Sequence, residues 1–97
     1  MTPATRLTDV DAALARHAPL PRSNGELVFE EPWHARALGM GMVALERTGA
    51  SWADFRAHLV AAIERHPPGP ETSPATAYYT AWIEALERLL GDRGLIP

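Results

Sequence analysis

Proline sets the first limit on this chain. The run Pro67-Pro68-Gly69-Pro70 cannot sit inside a helix, because each proline lacks an amide proton and its ring clashes with the preceding turn. Pro19 and Pro21 stop any helix that reaches them, whereas Pro32 and Pro74 stand where a first helical turn accepts proline. Between these marks the apolar residues recur at helical spacing. The expected fold is therefore all-α: three main helices, a short N-terminal helix and an extended connector. A chain of 97 residues has room for one core. The expected division is a short helix and arm over 1–28 and a helical domain over 29–97.

Met1 to Leu7 is expected to fray. Thr8 or Asp9 can cap a helix running to about His17, with Val10, Leu14 and Ala13 facing inward. Ser23-Asn24-Gly25 reads as a turn, and Glu26 to Glu30 as an extended connector too short and isolated for a sheet. The next helix opens on Glu30-Glu31-Pro32, where carboxylates suit the positive end of the helix dipole. Trp33, Ala37, Met40, Ala44 and Leu45 mark its inner stripe, with Arg36, Glu46 and Arg47 on the wet side. Thr48-Gly49 ends it. Gly39 and Gly41 cost on the order of 1 kcal/mol each against alanine, which points to close approach of another helix or chain.

Ser51 caps the third helix with Asp54 three residues on, and Trp52, Phe55, Leu59, Ala62 and Ile63 form one face. Thr72 or Ser73 starts the last helix, where Tyr78, Trp82, Ala85, Leu86 and Leu89 follow at helical spacing. Gly91 and Gly94 end it. Leu95-Ile96-Pro97 is an apolar tail with no evident place.

Composition excludes several function classes. Apolar residues at 46% are enough for a core. The net charge of −3 offers no basic field, so nucleic acid is not an expected partner. There is no cysteine, hence no disulfide, thiolate nucleophile or soft-metal site built from this chain alone. The N-terminal residues carry no apolar run of signal-peptide type, no stretch is long enough to span a membrane, and a cytoplasmic protein is expected. The four histidines lack metal-site spacing and read as surface or boundary residues. Glu26, Glu30 and Glu31 are explained by cap and dipole roles. No phosphate-cradling loop and no Gly-x-Ser-x-Gly turn is present. The chain is not expected to be catalytic alone.

Two places have a double reading. Arg56 follows an inward-facing Phe55, which makes it a boundary residue, solvated or paired with an acid. Beside the aromatic Trp52 and Phe55, the same guanidinium could help bind a partly charged group in a dry pocket. Of Tyr78 and Tyr79, one can be core while the other lends its hydroxyl to a partner. All nine basic residues are arginine, which fits either a GC-rich coding sequence or a surface of planar carboxylate-pairing forks.

The order and spacing of Glu30-Glu31-Pro32-Trp33, Ser51-Trp52-Ala53-Asp54-Phe55-Arg56 and Ala77-Tyr78-Tyr79-Thr80-Ala81-Trp82 resemble the N-terminal helical segment of the nitrile hydratase β subunit. The resemblance covers Phe29 to Pro97. It implies work beside an α-type subunit whose Cys-rich claw, with two oxidised sulfurs, holds cobalt or iron and hydrates nitriles to amides. Family β subunits continue into a β-barrel, so a separate barrel-bearing subunit is an expected second partner, as in split relatives of the thiocyanate hydrolase type. Arg56 then falls on the arginine that hydrogen-bonds the oxidised cysteines, and Trp52, Phe55 and Tyr78 fall on pocket positions. This chain would bind no cofactor of its own. An accessory protein assisting cobalt incorporation is the alternative that the resemblance leaves open, and an unrelated helical interaction module is the third.

Overall fold

The computed structural model describes residues 7–16 and 18–95. Four helices follow in chain order: α1 (Leu7–Leu14), α2 (Pro32–Thr48), α3 (Trp52–Arg65) and α4 (Pro74–Asp92). Helix α4 is the hub, packing on α3 and on α2, while α1 lies against α3. The all-α expectation holds. The expected fraying of Met1 to Leu7 falls outside the described residues except at Leu7, which is already helical. Thr8 and Asp9 therefore occupy positions within α1. The helix stops at Leu14, short of the expected His17, whose own position is also outside the described residues. Val10 and Leu14 are fully buried, as their spacing requires.

The connector is more structured than its sequence promised. Arg22–Ser23 (β1) and Glu26–Leu27 (β2) pair antiparallel, a minimal hairpin where no sheet was expected. Asn24 and Gly25 both take positive φ, 53° and 83°, the combination that a two-residue hairpin turn needs and that Asn-Gly accepts most readily. Two strands this short are not stable alone. Side chains fix them: Arg22 donates to the Gly25 carbonyl at 2.8 Å and pairs with Asp11 of α1. Leu27 packs against the core. Farther on, Ser73 Oγ donates to Glu30 Oε1 at 2.5 Å while accepting from Thr76 N, so one hydroxyl caps α4 and holds the connector.

Helix α2 presents a different face from the expected one. Its buried residues are His34, Ala37, Leu38, Gly41 and Leu45, whereas Met40 is 57% exposed and Trp33 and Ala44 are half-buried. The reason is Trp82. An added Cβ at Gly41 would lie 2.6–2.8 Å from the Trp82 indole, so the helix turns its one bare position toward the largest ring of the core. Gly41, not Gly39, is the glycine required for close approach inside the chain.

Helix α3 begins as expected, with Ser51 Oγ accepting from Asp54 N, and buries Phe55, Leu59 and Ala62. Gly69 and Thr72 form an isolated bridge across the proline-rich loop. Helix α4 starts at Ser73 with Pro74 in its first turn. Gly91 continues the helix; the chain leaves it at Gly94, where φ is 71° and Leu95 N donates to Leu90 O.

One charged cluster joins the end of α3 to the middle of α4. Glu84 accepts from Arg65 Nε and Nη2 at 3.0 and 2.6 Å, with His66 Nε2 at 3.3 Å and Arg88 Nε at 3.9 Å. The Arg65 hydrogen bonds hold the Glu84 carboxyl below its ordinary value of 4.5. A depressed carboxyl stabilises the fold above its unfolded-state value, and that contribution fades as pH falls through the folded-state value. Urea midpoints measured below and above this range should therefore converge for Glu84→Gln more than for the wild type. An identical pH dependence in both proteins would mean that the cluster is only a surface decoration.

Candidate functional site

Trp52 and Arg56 are one helical turn apart on α3, so their side chains are neighbours on the same edge. Arg56 is half-buried, and its Nη1 donates to the Ala13 carbonyl at 2.9 Å. That carbonyl lies in the last turn of α1, where carbonyls lack helical partners. The guanidinium thus ties α1 to α3 with one of its nitrogens. Its remaining N–H groups make no hydrogen bond among the described residues.

Beneath this edge the aromatic residues pack as one cluster. Trp52 meets Phe55 edge-to-face with ring centroids 5.5 Å apart, and Phe55 meets Trp82 in the same way at 4.7 Å. Trp52 is half-buried, while Phe55 and Trp82 have no exposed surface. Tyr78 is buried too, and its hydroxyl donates to the Ala18 carbonyl at 2.8 Å. The four residues singled out in the sequence therefore do not share one open wall. Trp52 and Arg56 reach the surface; Phe55 and Tyr78 lie in the core of this chain and support it from below.

Both tyrosines are core. Burial raises the Tyr78 phenol far above its ordinary range, with Tyr79 and Asp11 adding to the effect. Tyr79 is pushed up to about 12 by burial, against the pull of Arg22. Neither ionises near neutrality, so neither serves as a base. Tyr78→Phe should cost roughly 1–3 kcal/mol, because it strands the buried Ala18 carbonyl. Thermal denaturation measures this, and an unchanged midpoint would mean that the bond contributes nothing.

His34 was expected at the surface or the core boundary and is fully buried. It stacks on Tyr79 with ring centroids 5.0 Å apart, and its Nε2 lies 3.2 Å from Thr76 Oγ1. His34 Nδ1, Tyr79 Oη and Trp82 Nε1 are buried polar atoms without a hydrogen-bond partner among the described residues. The signal that could have found His34 is its spacing to Ala37, Leu38, Gly41 and Leu45, a complete helical stripe once Gly41 is set inward.

Elsewhere, a hollow of about 350 Å³ between the start of α3 and the end of α4 is lined by Asp54, His58, Asp92 and Arg93 among others. His58 Nε2 sits 3.0 Å from Asp92 Oδ2, and Arg93 lies 3.9 Å from Asp54. These pairs satisfy one another. Among the described residues, no three of His, Cys, Asp and Glu converge as a metal site would require. The sequence also has no cysteine that could add a thiolate ligand.

A family profile described as the nitrile hydratase beta subunit, N-terminal, matches residues 14–97. The chain belongs to that family. The match reaches back to Leu14, so this nitrile hydratase β N-terminal domain takes in the hairpin and the connector as well as the three long helices. No curated protein and no solved structure matches the chain significantly. Among the described residues of this β-type domain, no helix is long and apolar enough to cross a membrane.

Proposed function

We propose that the chain is the non-metal-binding β-type component of a split nitrile hydratase, completing the active site of a Cys-rich α-type subunit. The family match over residues 14–97 carries this reading. The N–H groups of Arg56 that have no partner among the described residues support it, since a guanidinium keeps its charge at every working pH and offers a planar fork to sulfenate or sulfinate oxygens. Cobalt or iron in the partner supplies the Lewis acidity for nitrile hydration. This chain's own residues position and shield. Arg56 fixes the oxygens of the partner's oxidised cysteines, and the half-buried Trp52 beside it contributes apolar surface to the substrate pocket. Phe55 and Tyr78 set the height and angle of that edge, Phe55 by packing between Trp52 and Trp82 and Tyr78 through Ala18. A separate barrel-bearing subunit completes the assembly.

Co-expression with the Cys-rich subunit tests the reading. The two chains should co-elute, the complex should melt above the isolated chain, and metal should track the Cys-rich subunit. A chain that elutes alone beside a folded α-type subunit would remove the proposal's support, and so would one metal ion retained per isolated chain.

A further inference from the structure

The groove between α2 and α4 lies outside the core. Gly39, Met40, Val43 and Ala44 form one wall and Leu86 and Leu90 the other, around a volume of about 370 Å³. Met40 and Val43 remain 57% and 52% exposed. Gly39 is bare on this side, and a Cβ there would meet nothing within 4 Å. Packing inside the chain does not require that glycine, yet a position without a side chain lets another backbone come close.

The charges around the groove narrow its occupant. At 3.6 residues per turn, Arg36, Met40, Val43 and Arg47 fall within an arc of about 60°, with the arginines about 16 Å apart along the axis. Both arginines are exposed, and neither makes an ion pair among the described residues. Arg22, Arg65, Arg88 and Arg93 each have an acidic partner. Glu46 follows from the neighbouring position on α2, about 100° round the helix from Arg47, and Glu87 stands on α4. A second copy does not fit this pattern. Antiparallel pairing of two α2 stripes sets Arg36 against Arg47, and parallel pairing sets each arginine against itself, which places like charges at both ends.

We infer that this groove docks a helix of a different chain, apolar over about two turns and bracketed by Asp or Glu about 16 Å apart. The inference stands on the groove and its arginines, independently of which enzyme the partner belongs to.

Two synthetic helical peptides with the same Leu/Ala stripe test it, one carrying Glu at both bracket positions and the other Lys. Fluorescence anisotropy should show the Glu peptide binding the wild-type chain at least about tenfold more tightly than the Lys peptide, with the gap closing as salt screens it. The preference should reverse in the Arg36→Glu/Arg47→Glu double variant. Gly39→Leu, whose Cβ would meet nothing within 4 Å, should keep its circular dichroism spectrum and lose affinity for the Glu peptide. Equal affinity for the two peptides, or none for either, would overturn the inference. So would a dimer in sedimentation that Met40→Glu/Val43→Glu dissociates, since the groove would then belong to a second copy.

Discussion

Trp82→Ala should remove the centre of the fold, at a cost of roughly 3–5 kcal/mol. Small domains are held by roughly 5–15 kcal/mol in all, so the variant should be largely unfolded or melt at least about 12 °C lower. Trp82 is fully buried, touches Phe55, Tyr78, Tyr79 and Trp52 through its rings, and fits against the bare backbone of Gly41. The same contact makes a paired prediction. Gly41→Ala should destabilise by about 1–3 kcal/mol despite alanine's better helix propensity, because the indole cannot retreat. In a Trp82→Phe background the smaller ring should relieve that penalty. If the two substitutions simply add, Gly41 and Trp82 are not the contact that orients α2.

That contact also explains where the sequence was legible and where it was not. Helices α3 and α4 have clear polar faces and hydroxyl caps at Ser51 and Ser73, so their limits and buried stripes could be read directly. Helix α2 is apolar on nearly every side, with Trp33, Leu38, Met40, Met42, Val43 and Leu45 spread around it. Periodicity alone then allows more than one inner stripe, and the choice fell on Met40 instead of His34. The deciding term is a steric fit with a residue on another helix, which no local pattern contains. The hairpin was missed for a related reason. Asn24-Gly25 carried the turn signal, but the flanking pairs are too short to read as strands without the Arg22–Asp11 tie to α1. At the candidate site, the sequence placed Trp52 and Arg56 on one edge of α3. It could not show that Arg56 spends one nitrogen on α1, or that Tyr78 is sealed beneath Ala18.

The second large effect concerns Arg56. In the proposed enzyme, Arg56→Lys keeps the charge but loses the planar fork, and turnover of the assembled complex should fall by at least about tenfold, as commonly follows loss of a hydrogen bond to a metal's ligands. The visible thiolate-to-metal absorption band should shift with it. Loss of the Ala13 bond should lower the melting temperature only slightly, because the contact lies at the boundary of the core. The spectroscopic change separates the positioning role from a merely structural one. If turnover and band are both unchanged, Arg56 is only the tie between α1 and α3.

Reconstitution decides whether the chain is a working subunit. A metal-loaded Cys-rich subunit and a barrel-bearing subunit are assayed for amide formation from a nitrile, with this chain added in increasing amounts and then removed. Turnover should be negligible without the chain, rise to saturation at a fixed stoichiometry, and be lost on its removal. Full turnover in its absence would rule out a subunit role, and so would activity that persists after the chain is stripped away, because that is the behaviour of an assembly factor.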